Sequence, residues 1–159
     1  MRDRNLSKDD YQEAMNTALR LLTRRDHTSF EIFQKLEQRG FDGGIVDRVL
    51  ARCRRLDYID DERTARMYIG QLVRRGFGFR RIRVELQKKG LSGERFENIL
   101  NQYRTEIDEH EIARKVMLKK MKSFKNEKDR QKRRNKMYRF LYSRGFEASV
   151  ISELVREIR

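Results

Sequence analysis

Residues 84–100 read VELQKKGLSGERFENIL, and the same spacing recurs in QKLEQRGFDGGIVDRVL (34–50) and RFLYSRGFEASVISELV (139–155). Each copy places a leucine four residues before a glycine: Leu36, Leu86 and Leu141 before Gly40, Gly90 and Gly145. A cation precedes each glycine (Arg39, Lys89, Arg144) and Phe41, Leu91 or Phe146 follows it. Six, nine and ten residues past the glycine stand Val46, Phe96 and Ile151, then Val49, Ile99 and Leu154, then Leu50, Leu100 and Val155. The copies lie 50 and 55 residues apart, the length of a small repeat unit.

Each position has a physical role. With Ile32, Ile82 and Met137 eight residues before the glycines, the leucines form an apolar stripe on a helix. The glycine suits the residue after a helix end, where φ is positive, and the cation before it suits the negative end of the helix dipole. The later apolar positions are the buried face of a following helix. A third helix precedes each pair: SKDDYQEA (7–14), DDERTARMY (60–68) and DEHEIARKV (108–116) open with acids, as the positive end of a helix dipole favours. Ala65 with Arg66, and Ala113 with Arg114, mark the correspondence. Thr28 and Glu31 make a capping-box pair at the start of a helix.

The pattern predicts helices over 9–25, 29–39, 43–55, 60–75, 79–89, 93–106, 108–124, 127–144 and 147–158, with no strand. The expected fold is all-α: three tandem three-helix, helix-turn-helix-like repeats in an elongated curved array, over residues 1–57, 58–106 and 107–159. Charged residues make up 40% of the 159 and apolar ones 37%, which fits thin-cored units better than one large core. No proline interrupts the helices.

The net charge of +14 is concentrated. Residues 74–89 hold seven basic residues and one acid, and residues 119–136 hold ten and two, so the remainder is neutral, with 22 of each sign. Such focusing points to a polyanion or an acidic protein groove. The opening residues MRDRNLSKDDY carry no apolar run, no stretch is long enough to span a membrane, and Cys53 is the single cysteine. A cytoplasmic location is therefore expected, with Cys53 packed between helices beside Val49, Leu50 and Leu56.

Nothing in the chain makes a catalytic constellation. The acids Asp9, Asp10, Asp60, Asp61 and Glu62 fall at helix starts, where capping accounts for them. His27 and His110 with one cysteine cannot complete a structural zinc site, and no cofactor is expected. Gly76, Phe77 and Gly78 read as a turn between helices, because no strand precedes them and no Lys-Ser or Lys-Thr follows.

The stretch LDYIDDERTARMYIGQLVRRGFGFRRIRVELQKKGL (56–91) resembles the central signature of the bacterial RecX regulatory family: paired Asp60 and Asp61, a turn at Gly76 and Gly78, then Arg81-Ile82, Glu85-Leu86 and Lys89-Gly90. Residues 18–41 are similar to the family's first repeat, and 140–151 match more loosely. Thr64 stands where the family commonly has Phe, and Phe79 where Pro commonly follows the turn. The resemblance implies a non-enzymatic modulator of the RecA recombinase that lies along the RecA–DNA filament and depresses its growth, ATP hydrolysis and strand exchange. An array of repeats, acting as a monomer, would touch several filament subunits at once.

The residues expected to contact DNA phosphate or acidic RecA surface are Arg74, Arg75, Arg80, Arg81, Arg83, Lys88 and Lys89, with Lys128, Arg130, Lys132, Arg133 and Arg134 from the last repeat. Ile82 and Leu86 should face inward while Arg80, Arg81 and Arg83 reach outward, and Lys88, Lys89 and Arg83 are the readiest to serve structure instead. The other reading is a stand-alone DNA- or RNA-binding trihelical module acting through phosphates. Against it, GERFENILNQYR (93–104) is mixed in charge, unlike a base-reading helix.

Overall fold

The computed structural model describes residues 6–124 and 126–158, with side chains from Lys8 onward. The outermost residues of the expected first and third repeats (1–5 and 159), and Lys125 in the second basic run, lie outside the described residues. Among those described, the chain is helical throughout: α1 Leu6–Leu22, α2 Ser29–Glu37, α3 Gly43–Arg55, α4 Asp61–Arg74, α5 Phe79–Lys88, α6 Glu94–Glu106, α7 Glu109–Met121, α8 Arg130–Ser143 and α9 Ala148–Arg156. A single 3₁₀ turn, Lys122–Phe124, follows α7.

The predicted helices all exist, and the differences lie at their ends. The first ends at Leu22 rather than 25. Thr28 is the N-cap of α2, with extended backbone (φ −75°, ψ 160°), and the chain must leave the α1 helix to reach it. α8 starts at Arg130 rather than 127, because the Asp129 carboxylate accepts the N–H groups of Gln131 and Lys132 and fixes the start there.

Two compact units result. Among the described residues, the first comprises 6–65 with Lys89–Leu91, and the second 66–88 with 92–124 and 126–158. In the first, Ala14, Met15 and Ala18 of α1 pack with Ile32 and Leu36 of α2 and with Ile45, Val46, Val49, Leu50 and Cys53 of α3. Cys53 is fully buried beside Met15, and burial pushes its thiol above the usual value. It is the packing residue its spacing announces. In the second unit Ala113, Met117, Met137, Leu141, Phe146, Ile151 and Leu154 form one core, and Ile69, Leu72, Phe79, Ile82, Leu86, Ile99 and Leu100 are also buried. The repeated apolar spacing therefore marks the core, except that Phe41, Phe96 and Val155 are only half-buried.

The three repeat glycines have φ of +86°, +72° and +86° at Gly40, Gly90 and Gly145, as helix-ending residues should. Two of them do more. In the first unit, Lys89–Leu91 abut the start of α2: the Thr28 hydroxyl donates to the Lys89 carbonyl (2.8 Å), and a Cβ on Gly90 would collide with Phe30. In the second unit, the end of α8 abuts the start of α5 in the same manner. Gly78 N–H donates to the Arg144 carbonyl (2.9 Å), Arg80 N–H to that of Gly145 (3.1 Å), and a Cβ on Gly145 would strike Arg81. Gly40 has open space around it.

The acids complete each joint. Asp60 and Asp108 cap their own helices, accepting from Arg63 N–H (3.0 Å) and His110 N–H (2.9 Å). The next acid in each pair reaches across instead: Asp61 accepts the Ser29 N–H at the start of α2 (2.7 Å), and Glu109 the Phe79 N–H at the start of α5 (2.8 Å). Burial pushes the Glu109 carboxyl up, and that backbone hydrogen bond opposes the rise.

The joints separate two costs of replacing glycine. Gly40→Ala should cost about 1 kcal/mol, from the left-handed backbone alone. Gly90→Ala and Gly145→Ala should cost about 2–4 kcal/mol, because the new Cβ must also displace a neighbour. Urea denaturation of the three variants checks this, and equal losses would mean that the close approach carries no energy.

Candidate nucleic-acid interface

The second unit holds a groove of about 550 Å³ between the end of α4, α7 and α8. Arg74, Arg75, Lys115, Lys119, Lys120 and Arg144 line it with Val73, Gly76, Ile112, Val116 and Phe140, and no carboxylate is among these residues. Gly76 (φ +75°) lets the end of α4 sit tightly on α7, since a Cβ there would collide with Val116. A Cβ on Gly78 would meet the Gly145 backbone. The Gly76-Phe77-Gly78 segment is thus a turn closed by two tight contacts, as expected from its sequence.

Aromatic rings hold several of the cations in place. The Arg144 guanidinium lies 5.0 Å from the Phe77 ring centre and 5.4 Å from that of Phe140, and it donates to the Arg75 carbonyl (3.0 Å). Lys120 Nζ lies 5.1 Å from the Phe140 ring and 5.4 Å from Phe124, and the Arg75 guanidinium 5.4 Å from Phe77. Lys115 pairs with Glu111 (2.7 Å) on the exposed face of α7. Arg74 and Arg75 are exposed. A cation-lined concavity with fixed rings is suited to a flexible polyanion.

The twelve residues named from sequence have different surroundings. Arg74 and Arg75 join the groove. Ile82 and Leu86 are buried, and around them Arg81 is exposed and pairs with Glu85 (2.9 Å). Arg80 is half-buried over the Tyr142 ring (3.7 Å) and donates to the Tyr142 carbonyl (2.8 Å), and Arg83 forks onto Glu97 through Nε (2.8 Å) and Nη2 (2.9 Å). Lys88 pairs with Glu85 (3.1 Å) and Lys89 with Glu31 (2.7 Å). Arg130 and Arg134 donate to the carbonyls of Ile158 (3.0 Å) and Arg156 (2.7 Å), at the C-terminal end of α9. Arg133 is half-buried, and Lys128 and Lys132 are exposed.

Sequence reasoning did not single out Lys115, Lys119, Lys120 or Arg144. Lys119 and Lys120 open the second basic run, and Lys115 with Lys119 makes a basic pair four apart on α7. Arg144 stands at the position before the repeat glycine, where the helix dipole alone explains a cation.

Elsewhere the polar clusters serve folding. Burial alone would raise the Glu31 carboxyl, but Lys89, the Thr28 N–H and Arg25 together hold it at about 2. His27 is buried with Nδ1 2.9 Å from the Arg25 carbonyl, and burial lowers its pKa. Among the described residues, no group of three His, Cys, Asp or Glu side chains is placed to hold a metal ion, and no helix is long and apolar enough to cross a membrane.

Three-helix repeats with a basic groove, and acids engaged at helix ends, define the architecture of the chain. Comparison with known proteins identifies its family. Residues 14–53, 60–97 and 107–155 match, in order, the first, second and third three-helix domains of RecX. The chain is 32% identical over 143 residues to a regulatory protein RecX of Haemophilus influenzae, covering 89% of this chain and 92% of that one. It is 34% identical over 148 residues to that of Legionella pneumophila, covering 92% and 95%. A crystal structure of a regulatory protein RecX superposes with a TM-score of 0.81 at 26% identity, over 96% of this chain and 74% of that one. The RecX of Lactobacillus salivarius shares the fold, with a TM-score of 0.81 at 22% identity over 95% of this chain and 97% of that one. The chain belongs to the RecX family of regulatory proteins.

The Lys89–Glu31 pair yields a pH test. The carboxyl is lowered from about 4.5 to about 2 in the folded chain, so the pair stabilises the fold above the ordinary value and is lost as pH falls through that window. Glu31→Gln should cost about 1–3 kcal/mol at neutral pH, and its deficit relative to the native chain should shrink steadily between pH 4.5 and 2. Denaturation midpoints across that range check the sign, and a pH-independent deficit would remove the ion pair from the account.

Proposed function

We propose that the chain is a non-enzymatic negative regulator of the RecA recombinase. It binds the RecA–DNA filament as a cytoplasmic monomer and lowers filament extension, ATP hydrolysis and strand exchange, within DNA recombination, repair and the SOS response. Membership of the RecX family supports the regulatory role. The resemblance of residues 56–91 to the family signature supports RecA as its target.

The observation that carries the molecular reading is the convergence of Arg74 and Arg75 with Lys119, Lys120 and Arg144 on one groove free of carboxylates. The two basic runs lie far apart in sequence, and folding brings part of each to one place. Such a surface neutralises phosphates and releases their counterions. The repeats that flank it would supply the contacts to RecA protein, and many weak contacts together give avidity. Phosphate binding without RecA is the alternative reading.

Arg74, Arg75 and Lys119 are exposed, and the Arg75 carbonyl that receives Arg144 is kept when the side chain is changed, so their replacement should leave the fold intact. The triple change to Ala should weaken inhibition of RecA's DNA-dependent ATPase about tenfold or more, and it should reduce the salt slope of single-stranded DNA binding by about 2, near 0.7 per cation lost. Undiminished inhibition with the native salt slope would place the filament contact elsewhere. Equal affinity of the native chain for free DNA and for the filament would favour the stand-alone module.

A further inference from the structure

On the side of α8 away from Phe140 and Arg144 lies a second feature that the groove does not use. Tyr138 and Tyr142 stand one turn apart on α8 with nearly parallel rings, 13° between planes and 6.3 Å between centres. Arg80 lies 3.7 Å over the Tyr142 ring, which is 47% exposed, so a cation and two rings form a short ladder. Tyr138 in turn lines a depression of about 290 Å³ between α8 and α9. Its other walls are Gln131, Arg134, Asn135, Ser152, Val155 and Arg156, with no carboxylate among them. Arg134 is anchored there by its hydrogen bond to the Arg156 carbonyl (2.7 Å), and Arg156 is exposed.

This hollow is lined by one aromatic ring, by the Gln131 amide (which donates to Asn135 Oδ1, 3.1 Å), by Asn135 and the Ser152 hydroxyl, and by two arginines with no acid in the lining. Its chemistry matches one kind of ligand. A nucleobase has a π-face for the ring, polar edges for Gln131, Asn135 and Ser152, and an attached phosphate for the arginines. Bases within a duplex are stacked on each other and cannot present a face, so the strand must be single or locally unpaired. We propose that Tyr138, backed by Tyr142 and Arg80, is a stacking site for an unpaired base of a single-stranded nucleic acid. This deepens the reading above and rests on it: the groove holds phosphates, and Tyr138 makes the site select single strands.

The test compares a thymine oligonucleotide with an abasic oligonucleotide of the same length, by fluorescence anisotropy at fixed salt. The two carry the same charge and differ only in bases. The native chain should bind the thymine strand about tenfold more tightly, the gain of one stacked base. Tyr138→Leu, which keeps apolar packing against the core, should bring that ratio close to one without changing affinity for the abasic strand, and Tyr138→Phe should preserve it. Tyr142→Leu, at an exposed position, should reduce it in part. A native ratio of one, a ratio that survives Tyr138→Leu, or binding of neither strand would overturn the proposal. The Arg74, Arg75 and Lys119 triple variant should lose affinity for both strands equally and keep the ratio. If that variant instead binds both strands as the native chain does, the phosphate groove is refuted, whatever the ratio shows.

Discussion

A peptide carbonyl just before a glycine, met by the N-terminus of a helix from the adjacent repeat, is the contact from which the rest of the structure follows. It occurs twice, at Lys89 against Thr28 and at Arg144 against Gly78, with hydrogen bonds of 2.8 and 2.9 Å. Each joint sets the negative end of one helix segment against the positive end of another and satisfies backbone groups that helix ends leave unpaired. The contact is close enough that only glycine fits at 90 and 145. At each helix start a further N–H, that of Ser29 or Phe79, is accepted by Asp61 or Glu109 from the chain that follows. Three-helix units of this size have thin cores, and the neighbour's backbone and carboxylate supply what the core cannot.

The first and last repeats differ at the equivalent places. Gly40 has open space around it, so its positive φ alone calls for glycine there. The N-terminus of α8 is closed by its own Asp129, whose carboxylate accepts the Gln131 and Lys132 N–H groups.

Much of this was legible because periodicity is local. Leucine four residues before glycine, a cation between them and apolar residues at fixed distances beyond are short-range facts, and they located the last two helices of each repeat and the buried face those helices share. The paired acids were only half legible. Asp60 and Asp108 cap the helices they precede, as their positions imply, but nothing within a helix distinguishes Asp61 or Glu109, whose partners Ser29 and Phe79 lie 32 and 30 residues away. The basic groove was hidden for the same reason. Charge counting found Arg74 and Arg75, but their meeting with Lys115, Lys119 and Lys120 depends on Gly76 packing against Val116, which is a fact of tertiary structure.

Arg144 shows how a position shared by the repeats comes to face different surroundings in different copies. Its counterpart Lys89 pairs with Glu31, the third residue of α2, and that carboxylate is held ionised. The third residue of α5 is Arg81, whose own partner is Glu85. At the second joint a cation before the glycine therefore meets no acid across from it, and like charge discourages it from lying there. The Arg144 side chain turns instead to the Arg75 carbonyl and to the rings of Phe77 and Phe140, so its charge lines the groove. The repeat keeps the backbone joint in both places. With Arg81 in the place of Glu31, the cation before the glycine no longer neutralises a neighbour and instead lines the groove.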